Sequence, residues 1–216
     1  MTIQDLLQDP LVKMNERNFQ EQFKKIAENL FKYCYIKCGA KKYYFAEIEF
    51  YYYDKNEENG LNKEWNEKTY PRDKKYAGEL FFHYSGVDIC FDSSYEKGKF
   101  GGILIRSLKE GCGKYITGPT VCMLEILNAC SQEMPRLEML NENKEYNIDN
   151  LCNPIARYGI EYANKEMKDE PLCFFDKKLY EKYTNKDTYK ETFENARWDY
   201  SKKKEGRLNR YYHRFD

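Results

Sequence analysis

Histidine and tryptophan are scarce in this chain, with two of each among 216 residues. His83 and His213 alone cannot build a multi-histidine metal centre or any site that needs two neighbouring histidines. Net charge is missing as well. The 36 basic side chains balance 36 acidic ones, so no overall field draws in DNA or RNA, and nucleic-acid contact requires a local patch. No apolar run approaches the length of a membrane span. The opening MTIQDLLQDP has neither the basic n-region nor the apolar h-region of a secretory signal. These absences predict a cytoplasmic protein without membrane contact. The eight cysteines form no CxxC, and Cys34 and Cys38, one helical turn apart, have no further ligand at zinc spacing. They read as reduced thiols used in packing. There is no internal repeat and no Gly/Ser linker.

What remains is aromatic and strongly patterned. Twenty-one Tyr and 13 Phe suit a Tyr-rich core and rim, with some rings available for stacking. Phe19, Phe23, Ile26, Leu30 and Phe31 recur at helical spacing and predict a packing helix from Asn15 to about Lys32. Residues 42–53, KYYFAEIEFYYY, predict a strand. Residues 54–75 are polar and contain Gly60 and Pro71, which predicts a long loop. Glycines at 78 and 86 punctuate two short strands, which predicts a hairpin. A strand over 102–108 follows, and Gly118-Pro119-Thr120 opens an apolar helix from Val121 to Cys130. The stretch 153–160 reads as a loop entering a strand, and 170–175 as a short strand or turn.

Two segments carry the chemistry. In Glu47-Ile48-Glu49 the acids alternate with apolar residues, so on a strand both carboxylates share one face and Ala46, Ile48 and Phe50 take the other. The run Ile103-Leu104-Ile105 ends in Arg106. If the two strands are neighbours, Arg106 meets a glutamate, and a carboxylate beside an arginine among aromatic walls can activate a water. The same pattern also fits an ordinary exposed strand face with a salt bridge. In the C-terminal SKKKEGRLNRYYHRFD, Lys202, Lys203, Lys204, Arg207, Arg210 and Arg214 stand against Glu205 and Asp216. This tail is either a basic arm for a nucleic-acid backbone or a solvated helix.

The order of these motifs resembles the 3-methyladenine DNA glycosylases of the alkyladenine (methylpurine) type over roughly residues 40–176. The family pattern runs Glu-x-Glu-x-Tyr, Gly-x-Leu-Tyr, Tyr-Gly, Cys-x-Asn, Leu-Leu-Arg-Ala, Gly-Pro, Arg-Ile-Gly and Pro-Leu-Arg-Phe-Tyr. This chain has Glu47-Ile48-Glu49-Phe50-Tyr51, Arg72-Asp73 and Gly78-Glu79-Leu80-Phe81. It continues with Gly86, Cys90-Phe91-Asp92, Leu104-Ile105-Arg106-Ser107, Gly118-Pro119, Arg157-Tyr158-Gly159 and Pro171-Leu172-Cys173-Phe174-Phe175.

The resemblance implies an α+β fold: a single mixed domain around a curved antiparallel β-sheet, with an N-terminal helical segment (1–40) and a charged C-terminal tail (177–216) flanking residues 41–176. It implies a monofunctional DNA N-glycosylase of base excision repair. The enzyme would be a monomer that uses no metal or cofactor and flips a damaged purine out of duplex DNA. Glu49 falls on the catalytic glutamate and Arg106 on the arginine that helps hold the attacking water. Tyr51 falls on the tyrosine that stacks on the flipped base, and Leu104 flanks the pocket floor. Phe82 or His83 would face Tyr51 across the base. The family's wedge tyrosine is Ser85 here, with Tyr84 one residue earlier. Asp92 replaces an asparagine that screens the base, and residues 54–75 lack the family's base-contacting histidine. These departures motivate a second expectation, a DNA-binding or protein-interaction module that keeps the fold without catalysis.

Overall fold

Aromatic and β-branched residues dominate the longest strand, and that strand organises the rest. The structure is a computed structural model that describes residues 2–12, 19–55, 69, 75–94, 96, 98–130, 133–140, 173–176 and 214–215. Strand β1 (Cys34–Cys38) turns through Gly39 and Ala40 into β2 (Lys41–Asp54). Strands β3 (Leu80–His83) and β4 (Gly86–Cys90) form the expected hairpin, followed by β5 (Lys99–Glu110) and β6 (Tyr115–Thr117). The short strands β7 (Arg136–Met139), β8 (Cys173–Phe175) and β9 (Arg214–Phe215) complete a nine-stranded sheet. Every pairing is antiparallel. Among the described residues three helices flank it: α1 (Ile3–Val12), α2 (Phe19–Tyr33) and α3 (Pro119–Ala129).

The fold is mixed α+β, with the sheet curled into a half-barrel. The two long strands, β2 and β5, pair from Tyr43↔Glu110 to Asp54↔Lys99. Each has different neighbours at its two ends. The outer edge of β2 takes β1 and then β8, and that of β5 takes β4 and then β6. The β2–β5 register shifts on both sides of Glu47, leaving Ala46 and Arg106 without opposite residues. Such bulges increase local twist and bend the strand, and this one lies beside the two glutamates.

One face of the sheet buries the core. Ile48 lies opposite Ile105 and Phe50 opposite Ile103, and residues paired this way share a face. Helix α2 lays Phe23, Ile26, Leu30 and Phe31 on that face, and α1 adds Leu6 and Leu7. Phe50 is the hub, stacked 4.5 Å from Phe23 and edge-on to Phe174 at 5.4 Å. The helices therefore belong to the sheet's core, and position 40/41 falls inside the β1–β2 hairpin.

The helix expected from Asn15 runs Phe19–Tyr33 and passes directly into β1. The strand expected over 42–53 runs Lys41–Asp54, and that over 102–108 extends to Lys99–Glu110. Helix α3 opens at Pro119 behind Gly118, whose φ of 98° is accessible to glycine at little cost. Most of the polar loop 54–75 and all of 153–160 lie outside the described residues. Among the described residues no helix is long and apolar enough to cross a membrane.

Candidate active site

The sheet face opposite the main core carries Glu47, Glu49 and Arg106, drawn into one buried cluster. Arg106 Nε donates to Glu47 Oε1 at 2.7 Å, and its Nη1 donates to Glu49 Oε2 at 3.0 Å. The side chain of Glu49 is wholly buried and that of Arg106 retains 14% exposure, the most of the trio. The second oxygen of Glu47 accepts the Ser107 hydroxyl at 2.8 Å. In a regular strand Arg106 and Ser107 would point to opposite faces. Here both reach Glu47, because the register step at this point re-aims the chain. The exposed-face alternative for these glutamates is thus overturned, since both are buried.

Helix α3 is anchored at the same step. The Arg106 carbonyl accepts the Gly118 N–H at 2.8 Å and the Cys122 thiol at 3.5 Å. Burial pushes that thiol far above its ordinary range, with Glu47 nearby acting in the same direction.

A row of side chains crosses the sheet beside the trio. Phe81 pairs with Asp88, Asp88 with Leu104, and Leu104 with Glu49, so all four share this face. His83, two residues from Phe81, lies on the same face, with its Nε2 3.3 Å from Asp88 Oδ1. Its Nδ1 accepts the Ser85 N–H at 3.2 Å. Phe82 points to the other face and packs against the core. Of the two residues expected opposite Tyr51, His83 therefore shares the face of Glu49 and Phe82 does not.

Tyr51 is half-buried two residues beyond Glu49, on the same face and across from Gly102. Leu104 is buried beneath Gly86 and Pro119. A Cβ on Gly86 would lie 3.0 Å from Leu104 Cδ1 and from Pro119 Cβ, so this approach needs glycine. Tyr84 stands in the turn of the β3–β4 hairpin and is 96% exposed. Asp92 is exposed in the loop after β4, where its carboxylate accepts the Ala77 N–H at 2.7 Å and fixes the turn before β3. The described residues contain no group of three or more His, Cys, Asp or Glu able to hold a metal. Lys202, Lys203, Lys204, Arg207 and Arg210 lie outside the described residues; of the tail, β9 pairs with β6.

Comparison with protein-family models, with curated proteins and with solved structures found no match. Sequence reasoning missed Ser107 and Asp88 as members of the site. Asp88 carried a signal, a lone acid inside the apolar run Val87–Cys90. Ser107 carried none, because only the register step brings it to Glu47.

Proposed function

We propose that this protein is a divergent, monofunctional N-glycosylase of the alkyladenine type that hydrolyses the bond between a damaged purine and its sugar in duplex DNA. The observation that carries the reading is the clamp of Arg106 on Glu49 and Glu47, on the same sheet face as Tyr51 and His83. Arg106 orients Glu49 through its hydrogen bond, and Glu49 takes a proton from the water that attacks the sugar C1′. Two carboxylates against one guanidinium leave a net negative charge beside the reacting sugar. That charge favours the cationic, oxocarbenium-like transition state of glycosidic cleavage. Tyr51 stacks on the flipped base, His83 walls its other side, and Leu104 closes the floor.

The hairpin tip supports the same reading. Ser85 is too small to hold a duplex open, but the adjacent Tyr84 projects from the turn with almost its whole ring in solvent. An inserted ring there would fill the space left by a flipped nucleotide. Lys202, Lys203, Lys204, Arg207 and Arg210 are the residues offered for the phosphate backbone. The proposed enzyme works as a cytoplasmic monomer and needs no cofactor.

The test is base release from duplexes carrying hypoxanthine, ethenoadenine or 3-methyladenine. Wild type should release base, and Glu49→Gln should lose ~10²–10⁴-fold of the rate, the usual worth of a general base. Duplex binding should survive in that variant, whereas Tyr84→Ala should weaken binding to the lesion duplex. Equal release by wild type and Glu49→Gln would sink the mechanism.

A second reading, a duplex-binding module without catalysis, is favoured by one observation. Glu49 has no exposed surface and commits an oxygen to Arg106. This reading predicts duplex binding with no base release by any variant.

A further inference from the structure

The overall charge balance hides a local excess of cations. Lys37 lies opposite Lys42 on one side and opposite Arg136 on the other, a line of three basic residues across β7, β1 and β2. Their chain neighbours Ile36, Cys38, Tyr43 and Leu137 enter the main core, so the three side chains point away from it. Like charges directly opposite each other destabilise a sheet, and here two such pairs adjoin. Glu138 offsets part of the charge. Its carboxylate accepts Arg136 Nε at 2.6 Å and the Tyr35 hydroxyl at 2.6 Å, with Lys37 Nζ 3.6 Å away. Lys42 instead lies over the Tyr35 ring, 4.7 Å from its centroid. Lys41 faces the other way and shows the contrast, because Glu125 at 3.1 Å and Glu110 at 3.5 Å both hold its charge.

The neighbouring row continues the pattern toward the candidate site. Tyr35 and Tyr44, each two residues from a lysine of the line, hold their rings 6.2 Å apart, and Tyr44 pairs with Lys109 of β5. Lys109 is two residues beyond Ser107, whose hydroxyl bonds Glu47, so both rows stand on the face of the Glu47–Glu49–Arg106 trio. At ~3.3 Å per residue along β2, Lys42 is on the order of 15 Å from Glu47. Lys42 and Arg136 are exposed, and Lys37 is half-buried between them.

We propose that Lys37, Lys42 and Arg136, with Tyr35 and Tyr44 beside them, are a docking surface for the phosphate backbone of a nucleic-acid duplex. Complementary charge carries the choice of partner. A duplex presents about one negative charge per 1.7 Å of its axis, and phosphates set against the line relieve the repulsion among its cations. Arg136 offers a planar fork of donors and the two lysines offer point charges, both of which bind phosphate oxygens. Strand pairing holds the three Cα positions in line, so little ordering is left to the moment of binding. The two rows offer no aliphatic side chain to enter a membrane interface. The surface goes beyond the catalytic reading, since it requires no chemistry at Glu49.

The experiment measures fluorescence anisotropy of a labelled, undamaged DNA duplex titrated with the full chain at several salt concentrations. Each phosphate contact contributes about 0.9 to the slope of log affinity against log salt. Lys42→Gln/Arg136→Gln should therefore flatten the wild-type slope by about 2 and weaken binding ~10–10²-fold near 0.1 M salt. Lys42→Gln alone should flatten it by about 1. Lys24→Gln/Lys25→Gln removes the same charge from the exposed side of α2 and should leave the slope at the wild-type value. The Lys42/Arg136 variant should melt no lower than wild type, because it removes opposed like charges. Glu49→Gln should keep the wild-type slope, which separates this surface from the fate of the catalytic reading. An unchanged slope in the Lys42/Arg136 variant would overturn the proposal. So would an equal loss in the α2 variant, or wild type that binds no duplex at low salt. Phosphatidylserine vesicles bound more tightly than the duplex, through the same two residues, would assign the surface to a membrane instead.

Discussion

Replacing Arg106 by Met removes a cation that is bonded to two buried carboxylates. The Glu49 side chain has no exposed surface and that of Glu47 has 7%, so neither regains water when the guanidinium goes. Glu47 keeps the Ser107 hydroxyl, while Glu49 loses the hydrogen bond from Nη1. Breaking a buried pair by removing one partner costs ~3–5 kcal/mol, because an uncompensated charge stays in the interior. For a chain of this length each kcal/mol moves the melting temperature by about 2–4 °C, so Arg106→Met should melt about 6–20 °C below wild type. The assay is urea unfolding with a thermal scan, on wild type, Arg106→Met, Glu49→Gln and the double variant. The double variant should be more stable than Arg106→Met alone, since neutralising Glu49 removes a buried charge that has lost its arginine. A loss below about 1 kcal/mol, the level of an exposed ion pair, would refute the reasoning. So would additive single effects, which would mean the three side chains do not act as one buried cluster.

The hub of the core gives a second expectation. Phe50 touches the rings of Phe23, Phe91 and Phe174 and has no exposed surface, so Phe50→Ala should cost ~3–5 kcal/mol in denaturant unfolding. Alkaline stability gives a third. Burial, and then its hydrogen bond to Glu138, raise the Tyr35 hydroxyl from 10 to about 12 in the fold. A folded pKa above the unfolded one contributes stability that is complete below the unfolded value and lost as pH rises through the folded one. Wild type should therefore weaken from pH 10 to about 12, and Tyr35→Phe should show a shallower loss over that window. Tyr43, buried and bonded to Glu125, is shifted in the same direction and accounts for part of the remaining slope.

Much of this architecture was legible before any coordinates. The strand at 42–53, the 78–92 hairpin and the helix behind Gly118-Pro119 all carry local signals: alternation, paired glycines, and a proline suited to a first helical turn. The elements that escaped are those whose stability is not local. Strand β1 follows α2 with no breaking residue between Tyr33 and Cys34, and it is a strand because β2 and β7 pair with its two edges. Strands β6 and β7 are three and four residues long and take their form from the partners they pair with.

The candidate site divides along the same line. Alternation alone put Glu47 and Glu49 on one face, because side-chain direction in a strand has a period of two residues. The same rule separates His83 from Phe82, once the β3–β4 register shows which face is which. Sequence could not determine that β2 and β5 are neighbours, that their register steps at Glu47, or that the step brings Arg106 and Ser107 to the same carboxylate. Local patterning determines which way a side chain faces. Which side chains meet depends on strand pairing and packing between distant segments, and here that pairing set an arginine against two buried glutamates.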